Sequence, residues 1–459
     1  MENVSKKIPI ISVFLFGVAL RFYNLGEIPG PVFDEVFYPL WGLSYLTGEQ
    51  FFSVHPPLGN YLFTLGISLF HLLPGTGELG TSLDQLNPLS YRWLNAVVGS
   101  LLVSVAYFVA LRIYNKTIFA LLVALFFAVD GSMLVDSRFG LINIYLTFFG
   151  SISLLFFLKS IQDKDHKILN VALCGVFLGL TISIKWNGLG YWLAIVMFSF
   201  LPYLWKATEN NAGVSSIAAT NITKVHQRLA RNIGFVLSIS LIAVIGYLLI
   251  WLPDLAFHDD FDLVDKHSQI ASYHLDRPEE KLHPYSSLWH TWPFMSRPVG
   301  YYFASVDVLT GEGVNTTYFT DVHLFPNPVI YWLSALSILV LFFHWVYSLR
   351  NFLLHRVYDK AFLPLSFILI GFFGNFLPWA LVSRSTFLYH YQPASGFAFM
   401  ALAFCLYNLR KKNRPQYRIL YGSLLFIVAA AFLYWLPLQL GLEIEKESFY
   451  QRMWFESWI

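Results

Sequence analysis

IPIISVFLFGVALRFYNLGEIPGPVFDEVFY, residues 8–38, opens on a long apolar run and closes on two adjacent carboxylates, Asp34 and Glu35. A helix that crosses a bilayer needs about 20 mostly apolar residues, and 8–26 supplies them. No small-residue cleavage site follows. The run passes into Arg21-Phe22-Tyr23-Asn24, so a retained helix is expected rather than a signal peptide. Ten further runs of this kind are read at 89–111, 117–135, 139–158, 168–184, 187–205, 233–252, 327–348, 361–381, 386–408 and 418–438. Composition agrees: of 459 residues, 56% are hydrophobic and 13% charged, and mean hydropathy is +0.55. The charged share is about half that of an ordinary soluble domain. A soluble enzyme, a disordered chain and a fibrous protein are excluded. The expected class is an all-α polytopic membrane protein of about eleven spans. Cys174 and Cys405 both fall in apolar runs, which argues against a disulfide framework or a thiolate metal site.

Charge tests the map. Let the N-terminus lie in the cytoplasm and let each run reverse the side. Then 19 of the 30 Lys and Arg, but only five of the 28 acids, face the cytoplasm. The split is +14 inside and −12 outside, as the positive-inside rule requires. The C-terminus then lies outside. Trp93, Trp251, Trp292, Trp332, Trp379 and Trp435 stand near span ends, where interfacial aromatics belong.

Two outer loops are too long to be turns, 27–88 and 253–326. The first holds a short apolar stretch, Tyr61 to Leu73, expected as a helix lying at the interface. The first loop also holds the acidic pair, between Phe33 and Phe37. Desolvation by those rings would raise a carboxylate pKa toward that of a general base; a helix cap or a solvated pair is the plainer alternative. Arg138, Lys185 and Arg384 sit at outer span ends, where they could meet a lipid-linked phosphate or merely snorkel to head groups. The outer histidines, His55, His274, His283, His323 and His390, show no spacing of a metal site. Sugar or phosphate contacts and plain packing are the alternatives. Asp276, Glu279 and Glu280 mark the second loop as a candidate acceptor surface. Asn315-Thr316-Thr317 is the one outer glycosylation sequon, and no internal repeat or Gly-rich phosphate loop is present.

Several motifs occur together in order. They are Phe33-Asp34-Glu35, His55-Pro56-Pro57-Leu58-Gly59, Ser137-Arg138-Phe139, Lys185-Trp186-Asn187-Gly188 and His283-Pro284-Tyr285-Ser286-Ser287. Thr291-Trp292-Pro293-Phe294-Met295-Ser296-Arg297-Pro298, Tyr301-Tyr302, Asn327-Pro328-Val329-Ile330, Leu377-Pro378-Trp379 and Arg384 leading to Phe387-Leu388-Tyr389-His390-Tyr391-Gln392-Pro393 follow. On these the chain resembles the protein O-mannosyltransferases, polytopic enzymes of the GT-C glycosyltransferase fold. The resemblance runs over nearly the whole of 1–459 as one transmembrane domain. It implies inverting transfer of mannose from polyprenyl-phosphate mannose to Ser or Thr hydroxyls of proteins, at the outer face and during translocation. It implies Asp34 as general base, with Glu35 helping to orient the hydroxyl. It implies Arg138 as a contact to the lipid phosphate, a role extended to Lys185, Arg384, Tyr389 and His390. Acceptor or sugar contacts extend to His55, His283, Tyr285, Trp292 and Arg297. No metal ligand is assigned, and a divalent cation, Mg or Mn, is the one cofactor left to test. Nucleic acid has no place in this reading.

Asn143 stands where the family carries an acid a few residues after the arginine, and Pro326 where a glycine is common. The second loop is too short for the large sugar-binding insertion of eukaryotic members. A bacterial member is therefore expected, in the plasma membrane with a periplasmic active site. A GT-C transferase with a glycolipid or glycan acceptor, such as an aminoarabinose transferase, shares the donor chemistry. The His-Pro-Tyr and Trp-Pro segments favour the protein enzymes. A secondary transporter would place charges at the midplane with repeat symmetry; here they stand at one face. A non-catalytic partner subunit would have no need of both Asp34 and Glu35.

Overall fold

The computed structural model describes residues 8–163, 165–210, 218–258, 261–275, 283–309, 315–355, 357 and 359–459. Asp276, Glu279 and Glu280 lie outside the described residues. Helix α1 (Ile8–Phe22) leads to a 3-10 turn at Phe33–Val36, then α2 (Tyr38–Thr47), α3 (Leu58–His71) and α4 (Leu89–Ile113). Next come α5 (Thr117–Val129), α6 (Gly131–Asp136), α7 (Asn143–Gln162) and α8 (Lys167–Ile184). Then follow α9 (Leu189–Asn210), α10 (Ala218–Phe257) and α11 (Leu263–Leu275). After strands β1 (Val299–Leu309) and β2 (Asn315–Leu324) come α12 (Pro328–His355), α13 (Phe362–Phe376), α14 (Gln392–Lys411) and α15 (Pro415–Leu440). Strand β3 (Glu443–Glu445) and α16 (Lys446–Arg452) end the chain.

Every one of the eleven runs falls on helix. Among the described residues seven helices are long and apolar enough to cross a membrane, namely α4, α7, α8, α10, α12, α13 with its extension to Leu381, and α15. The other four runs are shorter or more polar. Helices α1 and α5 and the stretch Trp186–Leu201 are short apolar helices, and α14 begins on Gln392-Pro393. The run at 117–135 is two helices, because the Asp130 side chain accepts from the Met133 N–H at 3.1 Å and starts α6 afresh.

Helix α14 is the centre, packed by α5, α7, α12, α13 and α15. Its residues from Gln392 to Phe404 are all buried. The outer helices turn apolar side chains outward: Leu237, Leu241 and Leu252 on α10, Leu336 and Phe343 on α12, Phe426 and Leu433 on α15, each more than half exposed. Such faces suit hydrocarbon, where the helix satisfies its own backbone.

The second long loop departs from the all-helical expectation. It supplies β1 and β2 of an antiparallel sheet of order β1-β2-β3, whose third strand follows α15, with Val299 opposite Leu324 and Leu309 opposite Asn315. The register shifts between Gly300 and Tyr302, so Tyr301 is the extra residue of a bulge. Bulges re-aim a side chain, and this one sends Tyr301 into the helix bundle.

Candidate active site

The acidic pair splits into two roles. Glu35 is fully buried. Its Oε2 accepts from Val32 N–H at 2.9 Å and from Arg92 at 2.7 Å; its Oε1 accepts from Arg92 Nε at 2.9 Å and Gly140 N–H at 2.6 Å. Arg92 also donates to the carbonyls of Ile28 and Gly30 at 2.7 and 2.8 Å. This bidentate pair clamps residues 28–35 onto α4 and the Gly140 turn. Only glycine admits that approach: a Cβ at Gly140 would lie 2.9 Å from Pro39 Cγ. Glu35 is thus corrected from a contact to the acceptor to a positioning residue, since all its lone-pair directions are taken.

Asp34 is left partly exposed beside it. Among the described residues no hydrogen bond occupies its carboxylate. Phe33, just before it, holds the left-handed conformation at φ 47°, a strain of about 1–3 kcal/mol for such a residue. Its ring is stacked on Tyr301 at 4.6 Å, which keeps the turn in place. Burial raises the Asp34 pKa to about 6, with Lys185 opposing and Asp136 adding to the rise.

Lys185 follows α8, buried, its Nζ donating to Asn143 Oδ1 at 2.7 Å. It stands 5.8 and 5.4 Å from the ring centres of Tyr38 and Tyr389. Burial pulls its pKa down to about 8, against the pull of Asp34. Asp136, which the sequence reading passed over, accepts from Tyr301 Oη at 2.6 Å, Gln392 Nε2 at 2.7 Å and Asn143 Nδ2 at 3.0 Å.

Lys185 opens onto a cavity of about 410 Å³ lined by His55, His274, Arg384 and His390 on its polar side. Leu189, Trp192, Leu193, Pro378, Leu381 and Val382 form its apolar wall. The His390 Nδ1 meets the Phe387 backbone, 3.0 Å from its N–H and 3.1 Å from its carbonyl oxygen, which holds the ring at the cavity's edge. Burial, with Lys185 and His274 nearby, pushes the His55 pKa well down, so His55 is a neutral partner.

Other expected residues lie elsewhere. Arg138 is buried, donating to the carbonyls of Leu20, Arg21 and Tyr23 at 2.9, 3.2 and 2.6 Å. It closes the C-terminal end of α1, and is corrected from a phosphate contact to a helix cap. His283, Tyr285 and Arg297 do not line the cavity. Arg297 donates to Pro284 O and Ser457 O at 3.0 and 2.8 Å and lies over the Tyr285 ring. The motif they belong to supports the cavity from behind. Ser287 and Thr386 exchange hydrogen bonds at 2.8 and 2.7 Å, His283 packs on Phe387, and Trp292 stacks on His390. Tyr389 backs Lys185. Arg92 and Asp136 were missed, although both are charges at span ends, the same signal that marked Arg138; Tyr301 and Gln392 stood within the motifs but were given no role. Among the described residues no three His, Cys, Asp or Glu side chains converge to hold a metal ion.

Two family profiles tile the chain. The one described as dolichyl-phosphate-mannose-protein mannosyltransferase matches residues 11–256. The C-terminal four TMM region of protein-O-mannosyltransferase matches 261–458. The chain belongs to this family. The polyprenol-phosphate-mannose–protein mannosyltransferase of Corynebacterium glutamicum is 24% identical, over 97% of this chain and 92% of that protein. That of Mycolicibacterium smegmatis is 24% identical over 95% and 90%. The fold is that of the S. cerevisiae protein O-mannosyltransferase Pmt1-Pmt2 complex bound to the sugar donor, with TM-score 0.78 at 15% identity over 99% of this chain and 93% of that one. ArnT from Cupriavidus metallidurans bound to undecaprenyl phosphate shares it more distantly, with TM-score 0.54 at 16% identity over 92% and 64%. The family's helical frame is therefore the GT-C fold, and the chain is a multi-pass integral membrane protein.

Proposed function

We propose that this chain transfers mannose from polyprenyl-phosphate mannose to Ser or Thr hydroxyls of proteins. The observation that carries the reading is the placing of Asp34 beside a cavity whose polar rim is cationic and whose wall is apolar. Relatives named for this reaction over almost the full length support it. Lys185 and Arg384, with His390 beside them, face the phosphate, and the two cations stabilise the charge that develops on it as the glycosidic bond breaks. The polyprenyl chain lies along Leu189, Leu193, Leu381 and Val382. Asp34 takes the proton from the acceptor hydroxyl, which attacks the anomeric carbon from the face opposite the phosphate. His55 and Tyr38 border the space left for the sugar. This chemistry takes place at the outer face, the periplasmic side of a bacterial plasma membrane, in reach of chains crossing it, a reading that the charge asymmetry supports.

Purified protein in liposomes, given radiolabelled polyprenyl-phosphate mannose and a Ser/Thr-rich peptide, tests this. Label should pass to the peptide with wild type and fail to pass with Asp34→Asn. Slow release of label to water or to glycolipid alone, still dependent on Asp34, would move the acceptor to another class. Transfer unaffected by the substitution would overturn the base.

A further inference from the structure

One buried charge has no part in the mechanism above. Asp136 lies wholly inside the protein, held by donors from three elements: Tyr301 of β1, Gln392 of α14 and Asn143 of α7. Asn143 has a second partner. Its carbonyl oxygen accepts from the Lys185 ammonium at 2.7 Å, while its amide nitrogen donates to Asp136 at 3.0 Å. The two partners fix the amide in one orientation, because a cation needs the oxygen and a carboxylate needs the N–H. The result is a line of carboxylate, amide and ammonium that ends in the cavity. An ammonium so buried needs a counter-charge, and the amide dipole carries the carboxylate's field to it. Tyr301 ties the same carboxylate to the Asp34 turn, through its stacking on Phe33.

We propose that Asp136 is a positioning residue of this site: through the Asn143 amide it aims the Lys185 side chain into the donor cavity and balances its charge. This rests on the reading of the cavity as the donor site. The ionisable groups that face the assembly are Asp34, Tyr38 and His55 from the first loop, Tyr301 from β1, and Arg384, Tyr389 and His390 from the stretch before α14. Removing the Asp136 anion makes a proton easier to lose from both Asp34 and Lys185. Both limbs of the pH–rate profile should then move to lower pH, which loss of packing would not do.

The test compares wild type, Asp136→Asn, Asn143→Ala and the exchange Asp136→Asn with Asn143→Asp, which moves the carboxylate directly onto Lys185. Binding of radiolabelled polyprenyl-phosphate mannose to detergent-purified protein is measured alongside transfer. Asp136→Asn should weaken donor binding by about tenfold or more, the scale of a charge-assisted hydrogen-bond network. The exchange should recover binding and return the alkaline limb upward. Asp136→Asn with unchanged binding and unmoved limbs overturns the proposal. So does a loss that the exchange leaves unrepaired with the limbs in place. Should Asp136→Asn fail to fold, Asn143→Ala cuts the relay and keeps the carboxylate, and wild-type donor binding there overturns it equally. Donor binding without transfer to peptide by wild type would instead sink the proposed reaction, and the binding comparison would still decide the role of Asp136.

Discussion

Asp34 and Glu35 share a peptide bond and little else. Glu35 is spent on Arg92 and two backbone N–H groups, while the Asp34 carboxylate has a raised pKa of about 6. A base must be unprotonated and a phosphate-binding lysine protonated. Transfer should therefore rise with pH as Asp34 ionises and fall as Lys185, near 8, loses its proton. The profile of kcat/KM should be a bell with apparent limbs near those two values. A single limb, or an optimum above pH 9, would contradict these assignments. Asp34→Asn should lower kcat by roughly 10²–10⁴, the usual worth of a positioned base, with donor KM little changed. Lys185→Met should do the reverse and raise donor KM. Equal effects of the two substitutions on both constants would mean that both residues are structural. Adjacency made the pair legible in the sequence but concealed the division of labour. Which of two neighbouring carboxylates meets an arginine depends on Arg92, 57 positions downstream of Glu35, and no local pattern records that.

At the level of elements, the first loop is held by one buried ion pair and the cavity wall by one strap. Breaking a buried pair from one side leaves a charge uncompensated and costs about 3–5 kcal/mol. Glu35→Gln and Arg92→Met should each lower thermal stability in detergent sharply, with less donor turnover following from displacement of the Asp34 turn. A melting temperature within a degree of wild type for either would show that the clamp is dispensable. The strap at 283–297 was legible as a motif, and the structure shows it packed behind the donor cavity rather than lining it. Its residues are distinctive because Trp292 must fill the space behind His390 and Ser287 must match Thr386, which is packing and not recognition. The sheet escaped notice for a different reason. In a chain this apolar, hydropathy picks out spans, and the bulge at Tyr301 breaks the alternation that would mark β1. Asp136 was hidden by the same limit: its neighbours Tyr301 and Gln392 come from 165 and 256 positions away.

For the whole molecule, the helical runs follow from solvent physics, which is why they were readable, and the charge pattern sets the orientation expected of them. Hydrocarbon demands long apolar helices, and the cell's insertion rules leave Lys and Arg behind. Each expected run is helix, and the basic cluster Arg410, Lys411, Lys412 and Arg414 stands at the α14–α15 junction. The cationic cavity and Asp34 lie at the opposite ends of these helices, where the α15 end meets β3 and the C-terminal Trp458 donates to Met295. An odd number of crossings is required if that end is outside while residue 8 starts from the cytoplasm. Single cysteines test the count. Cys174 is buried and Cys405 is half-buried on α14, so a Cys405→Ser background is silent enough to read. A cysteine at exposed Glu49 or Ser457 should react with a membrane-impermeant maleimide added to intact cells. One at exposed Asn413 should react only after the membrane is opened. Protection of Ser457→Cys in intact cells, with Glu49→Cys still labelled, would mean that an odd number of runs between them, at the simplest one, does not cross. Of the shorter or more polar runs, α5, the start of α9 and α14 lie between those positions and are where the error would lie, since the bilayer would have to thin or the helix stay upright to accommodate them.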